Sequence, residues 1–181
     1  IKDPMFWDQT QGAQRHGPVI QFLSNVDMSV MSKPTEYSET EIQHITSKYK
    51  RLANEINQKR KHSIKNQTII FNLSESFATP KRVPDISINN NPIPAIDNLK
   101  RKTTSGLMMS SGYGGGTANM EYMSLTGLAT CNFSSTLNSP YSQLVPHQTY
   151  TPTILNSFDY SVAIHPYTSE FYNRKLNYKK F

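Results

Sequence analysis

At 181 residues the chain has the length of one domain, or most of one, and can bury a core. Its 36% apolar and 18% charged content, with a mean hydropathy of −0.58, describe a hydrophilic globular chain and exclude a disordered polyelectrolyte. A formal net charge of +6 suits an anionic partner (nucleic acid, an acidic polymer or a membrane surface), and the single cysteine, Cys131, excludes an internal disulfide and a cysteine-rich zinc site.

No stretch has the length and apolarity of a membrane helix, and Ile1-Lys2-Asp3 does not open a signal peptide. With Ile1 in first place, the sequence reads as a piece of a longer protein. Residues 1–36 read as an irregular N-terminal arm, punctuated by Pro4, Gly12, Gly17, Pro18 and Pro34, with one apolar run at 19–23 that docks on the core. Ser38-Glu39-Thr40-Glu41 then fits a capping box. Behind it Ile42, Ile45, Tyr49, Leu52 and Ile56 recur at helical spacing, predicting an amphipathic helix to about Gln58. The Lys59-Arg60-Lys61 cluster at its end suits the helix dipole and has no aromatic interleaving, so nucleic acid is not the expected partner.

Gln67-Thr68-Ile69-Ile70-Phe71-Asn72-Leu73 is a β-branched and aromatic run typical of a buried strand, and Glu75 follows it. A short strand at 85–88 and a helix at 95–101 come next. Residues 103–109 read as a strand feeding Ser110-Ser111-Gly112-Tyr113-Gly114-Gly115-Gly116-Thr117. A helix runs from Thr117 to about Leu125, with Gly127 suited to ending it. Residues 129–146 read as a loop, 151–158 as a short helix and 160–164 as a third strand closed by His165. The segment 167–173 turns into a helix. The order predicts an α/β fold with a mainly parallel sheet.

Glu75, Thr117 and His165 each follow a predicted strand, and a parallel sheet gathers such positions at one edge. Glycine admits close approach of other groups, and a helix N-terminus at Thr117 favours an anion. A carboxylate that holds a hard divalent cation and a hydroxyl that attacks phosphorus or sulfur suit a metal-assisted transfer. Spacing alone leaves Glu75 open as an ordinary loop residue and His165 as a structural histidine, and Gly-Gly-Gly-Thr lacks the lysine of a P-loop.

Five stretches carry a resemblance: residues 69–77 with Glu75-Ser76-Phe77, residues 103–109, residues 113–121 from Tyr113 to Glu121, Leu125-Thr126-Gly127, and Ala163-Ile164-His165-Pro166-Tyr167. With Phe171-Tyr172-Asn173-Arg174 they resemble, in this order, the lipoteichoic acid synthase-like phosphoglycerol transferases of the sulfatase/alkaline phosphatase superfamily. The resemblance spans about residues 19–181. It implies an alkaline phosphatase-like three-layer α/β/α sandwich, here incomplete at the C-terminus, with residues 37–181 forming the N-terminal portion of a sulfatase-like catalytic domain. Residues 1–36 then link to membrane helices that precede the domain.

The resemblance further implies that Thr117 is the nucleophile. It takes glycerophosphate from phosphatidylglycerol and passes it to a polyglycerophosphate-type acceptor. Glu75 and Thr117 are implied as ligands of manganese or magnesium. His165, Tyr172 and Arg174 surround the phosphoglycerol head group, and Gly114, Gly115 and Gly116 form the nucleophile loop. Tyr172 stands where some relatives carry tryptophan, which keeps an aromatic wall and leaves the substrate fit open. The domain is implied to work on the extracellular face of a Gram-positive-type cell membrane. Sulfatase chemistry is not expected, because Cys131-Asn132-Phe133 does not fit the C/S-x-P-x-R pattern that makes formylglycine. The remaining metal ligands are expected beyond Phe181, so the isolated chain should bind metal weakly and turn over little. An ester hydrolase of the same superfamily and a non-catalytic module binding anionic lipid or teichoic acid are the rival readings.

Overall fold

The computed structural model describes residues 8–26, 29–75, 77–110 and 116–181. Gly114, Gly115 and Ser76, together with the Ile1-Lys2-Asp3 start, lie outside the described residues.

The lead-in, expected to be irregular, carries two helices, α1 (Gln9–His16) and α2 (Pro18–Ser24). Gly17 and Pro18 join helices here rather than breaking the chain. Asp8 caps α1 by accepting from the Gln11 N–H at 2.9 Å, Gly17 turns the chain at φ 86°, and Pro18 starts α2 with its φ already fixed. The pair is zipped by amides. Buried Gln21 donates through Nε2 to Gln9 Oε1 at 2.9 Å, and Asn25 Nδ2 donates to the same oxygen at 3.0 Å. Gly12 makes this approach possible, since a Cβ there would lie 2.4 Å from Gln21 Oε1. Beyond α2 the lead-in is tied to the later chain: Ser134 N donates to Val30 O at 2.9 Å and Thr136 Oγ1 to Ser29 O at 2.8 Å.

The predicted helices appear close to their expected bounds. α3 (Glu39–Lys59) begins at Ser38, whose hydroxyl accepts from the Glu41 N–H at 3.2 Å, while its apolar stripe is exposed along its length. α4 (Pro94–Lys102) starts on a proline. Asp97 on α4 accepts from Lys81 at 3.0 Å, which holds its carboxyl below the usual range and fastens the 80–82 turn to the helix. α5 (Thr117–Thr126) ends where Gly127 enters the left-handed region at φ 72° and its N–H returns to Met123 O at 2.9 Å. The 129–146 segment is more ordered than a loop. It contains α6 (Pro140–Gln143) and 3₁₀ turns at Thr130–Asn132 and Val145–His147. The helix expected at 151–158 is a 3₁₀ turn at Ile154–Ser157. The chain ends in a 3₁₀ turn at Phe171–Asn173, α7 (Arg174–Asn177) and a last 3₁₀ turn at Tyr178–Lys180.

The predicted strands do not form among the described residues. Segments 67–73, 85–88, 103–109 and 160–164 carry no ladder, and Ile70, Met109 and Ile164 are 84%, 87% and 91% exposed. An apolar run can specify an extended path, but a strand exists only when a second strand accepts its N–H and C=O groups. The mainly parallel sheet expected for the sandwich is therefore absent from the described residues.

What is packed sits on the other side of Thr117. Ala118 and Tyr122 of α5, Tyr141 of α6 and Val145 form a buried cluster, closed by Phe133, Leu144, Tyr172, Tyr178 and Phe181. Lys180 locks its edge by donating to three carbonyls, those of Val145, Pro146 and Gln148, at 3.1, 2.7 and 2.7 Å. The C-terminal turns are thus held against α5 and α6.

Candidate active site

Gly116 precedes α5 at φ 77°, ψ 28°, a left-handed conformation that costs an L-residue about 1–2 kcal/mol. A Cβ would have room there, meeting only Asn119 Nδ2 at 3.7 Å, so the demand for glycine is torsional. Thr117, half-buried, is the first helical residue, at the end where backbone N–H groups face outward.

One turn along the same face stands Glu121; residues four apart on a helix have Cβ atoms roughly 5–6 Å apart. Its two carboxylate oxygens are divided between partners. Oε2 accepts from Arg174 Nη2 at 2.9 Å and Nε at 3.3 Å, and Oε1 accepts from the hydroxyls of Tyr141 at 2.8 Å and Tyr178 at 2.5 Å. The ion pair is enclosed, with side chains 6% and 13% exposed. Arg174 Nη1 also donates to Phe171 O at 3.3 Å, and the guanidinium carbon lies 5.9 Å from the Tyr141 ring centre and 5.2 Å from that of Tyr172. Burial opposes the charge on Arg174, but the hydrogen-bonded Glu121 carboxylate more than offsets it and raises the guanidinium above its ordinary value.

Tyr172 and Asn173 both adopt left-handed backbone, at φ 57° and 55°. Two such residues in a row, one bulky and aromatic, cost on the order of 1–3 kcal/mol each and persist only where neighbours hold them. Asn177 does so: fully buried, it donates through Nδ2 to Tyr172 O at 3.0 Å and Tyr141 O at 2.7 Å. Phe171 packs edge-on against the Tyr172 ring at 5.0 Å. The turn presents the Tyr172 ring over the arginine.

Burial raises the Tyr172 phenol, with Arg174 opposing and the charge of Glu75 adding to the rise. Glu75, itself exposed, therefore lies within electrostatic reach of this cluster. Arg174 meets Glu121 of α5 and the Tyr172 ring of the preceding turn, and Thr117 stands one turn from Glu121 on α5. His165 is half-buried in its own loop, where Nδ1 pairs with Tyr167 O at 3.2 Å. Among the described residues no three His, Cys, Asp or Glu side chains converge as a metal cage. Glu75 and Thr117 offer at most two donors, fewer than a hard divalent ion takes. The described residues do not by themselves fit the manganese or magnesium ion that the resemblance implies.

Glu121, Tyr141, Asn177 and Tyr178 are the parts that sequence reasoning missed. Glu121 did carry a signal. It is the only charge in the helix Thr-Ala-Asn-Met-Glu-Tyr-Met-Ser-Leu-Thr, and a carboxylate on a helix bound for the core needs a cation.

Burial, and then the Glu121 carboxylate, hold the Tyr141 and Tyr178 phenols well above their ordinary value. Their stabilisation is fully present below about pH 10, where unfolded tyrosine ionises, and is lost as pH rises further. Thermal unfolding of the protein that contains this chain should show a midpoint falling between about pH 10 and pH 11, and Tyr178→Phe should flatten that fall.

A groove of about 320 Å³ runs beside the strained turn, between the start of α1 and residues 168–173. Among the described residues it is lined by Asp8, Gln9, Glu170, Phe171 and Asn173, with others.

Comparison with known proteins gives the family. A Streptococcus pyogenes phosphoglycerol transferase, GacH, solved in complex with sn-glycerol-1-phosphate, matches at 42% identity and a TM-score of 0.78, over 83% of this chain and 40% of that one. A Rhizobium meliloti (strain 1021) protein whose name assigns it to cyclic beta-1,2-glucan modification is 31% identical over an alignment of 186 residues that covers 98% of this chain and 26% of the relative. The chain thus spans well under half the length of either protein. The sulfatase family model matches residues 67–181, the stretch that begins with the first predicted strand and contains Glu75, Thr117, Glu121 and Arg174. With the path of a solved phosphoglycerol transferase and the family pattern over most of its length, the chain belongs to the sulfatase family, with a sulfatase/alkaline phosphatase-like fold.

Proposed function

We propose that this chain carries the nucleophile half of an enzyme that moves glycerophosphate from phosphatidylglycerol, through Thr117, to a cell-envelope polymer or glycolipid. The likeness to GacH, whose solved complex holds sn-glycerol-1-phosphate, is the observation that carries the reading. The packing of Arg174 against the helix of Thr117 supports it.

In the first step Thr117 Oγ attacks the phosphorus and the bond to the diacylglycerol oxygen breaks, that oxygen leaving with a proton. In the second, an acceptor hydroxyl attacks the threonine-bound phosphodiester, gives up its proton and restores Thr117. The N-terminus of α5 supplies positive potential and donors for the phosphate oxygens. Arg174 gives Nε and Nη2 to Glu121 and Nη1 to Phe171 O, has the Tyr178 hydroxyl as a further neighbour, and in this reading turns its remaining Nη donors to phosphate. Tyr172 forms a wall for the glycerol, His165 is a further substrate contact, and Gly114, Gly115 and Gly116 form the loop around the nucleophile. Glu75 and Thr117 are proposed as two of the donors to manganese or magnesium. In this reading the reaction runs on the extracellular face of the cell membrane. No helix among the described residues is itself long and apolar enough to cross one.

A glucan in place of a polyglycerophosphate acceptor is favoured by the relative named for cyclic glucan modification. The hydroxyl, amide and carboxylate side chains that line the groove beside Phe171 suit a hydroxyl-rich chain. The test uses the complete protein with phosphatidylglycerol, alone and with a glycolipid or a beta-glucan. Expected is diacylglycerol release that rises with acceptor, and glycerophosphate on one acceptor. Release indifferent to acceptor, with free glycerophosphate as product, would mark a hydrolase; no diacylglycerol at all would overturn the reading.

A further inference from the structure

We infer that Glu121 is a positioning residue for the phosphate site: it fixes the Arg174 fork relative to the helix that carries Thr117. The inference rests on the reading of Thr117 and Arg174 as members of that site.

Arginine on its own is a poor instrument for placing charge, because its long stem must be immobilised before the fork can be aimed. Here the side-on pair of donors, Nε and Nη2, is given to Glu121 Oε2, and the Tyr141 and Tyr172 rings hold the guanidinium between them. The Nη donors not given to Glu121, Phe171 or Tyr178 are the ones left to meet phosphate oxygens. Glu121 is aimed in its turn. The two tyrosine hydroxyls both take Oε1, which leaves Oε2 to the arginine. Because Glu121 lies one turn from Thr117 on α5, the fork and the nucleophile hydroxyl are registered to one rigid element. A pair this enclosed is weak evidence for added stability, since desolvation consumes most of the attraction; a role in placing the arginine accounts for it better.

The test measures binding of sn-glycerol-1-phosphate at equilibrium and donor kcat and KM in the complete protein. Glu121→Gln is expected to weaken binding and raise KM by about tenfold or more, with a smaller change in kcat. Glu121→Asp, which keeps the charge, should recover most of that loss. Tyr178→Phe, which removes one of the two hydroxyls aiming the carboxylate, should weaken binding by about threefold. A folded Glu121→Gln protein with unchanged affinity and KM would overturn the inference. Should that variant fail to fold, Tyr178→Phe decides: folded, with unchanged affinity, it overturns the inference equally. Thr117→Ala run beside them separates the two ideas. If it kept turnover, the nucleophile reading would fall, while loss of binding in Glu121→Gln would still support the arginine's placement.

Discussion

Thr117→Ala is expected to remove glycerophosphate transfer from the complete protein, lowering kcat by roughly 10⁴-fold or more, as loss of a covalent nucleophile does elsewhere. The expectation follows from what the hydroxyl would do. It opens a covalent path in which each phosphorus–oxygen exchange takes place against fixed donors, and no remaining side-chain atom at that position can replace it. Binding should change far less than turnover. The α5 amides and Arg174 do not depend on the hydroxyl, and alanine starts a helix at that position without strain. Thr117→Ser should keep measurable transfer, since it retains an oxygen at Oγ and loses only the methyl that limits its rotamers. Single-turnover diacylglycerol release, with circular dichroism to confirm the fold, makes the measurement. Alanine and wild type releasing diacylglycerol at similar rates would show that water or another group attacks phosphorus.

Why some of this was legible and some was not comes down to range. Helix starts and stops are written in neighbouring residues, and those predictions match: Ser38 before α3 and Gly127 after α5 both act within one turn. Gly17 and Pro18 were equally visible but misread, because the same two residues can break a chain or join two helices. Their meaning depended on the amides of Gln9, Gln21 and Asn25 meeting across the joint. The strands failed for a related reason. Residues 67–73 and 160–164 have the composition of strands, but pairing is a property of two segments and no local pattern supplies the partner. At the candidate site, Thr117, Tyr172 and Arg174 are proposed from motifs. The pairing of Glu121 with Arg174 could not be read from them, because the two are 53 positions apart and the lone charge on α5 says only that some cation is needed.

The largest loss of stability is expected at Tyr141. Tyr141→Ala should destabilise the complete protein by about 3–5 kcal/mol, the range for deleting a buried aromatic ring. The ring is 1% exposed and sits at the centre of the packed seam. It meets Tyr122 edge-on at 6.1 Å, Tyr178 edge-on at 6.5 Å and Phe181 tilted at 5.8 Å, with the Arg174 guanidinium above it at 5.9 Å. Removing it opens a cavity between α5, α6 and the C-terminal turns and takes the apolar support from an enclosed ion pair. Tyr141→Phe isolates the other contribution. It keeps the ring and deletes one hydrogen bond to Glu121, a loss of about 1.5–3 kcal/mol for a bond to a charged acceptor. The comparison is made by denaturant unfolding of both variants. Equal losses would mean that the hydroxyl rather than the ring holds the seam. A larger loss for alanine, with phosphate-site binding weakened in both, would mean that the ring keeps the C-terminal helices on α5 while the hydroxyl keeps the carboxylate aimed. The functional cluster would then owe its geometry to an aromatic core packed directly behind it.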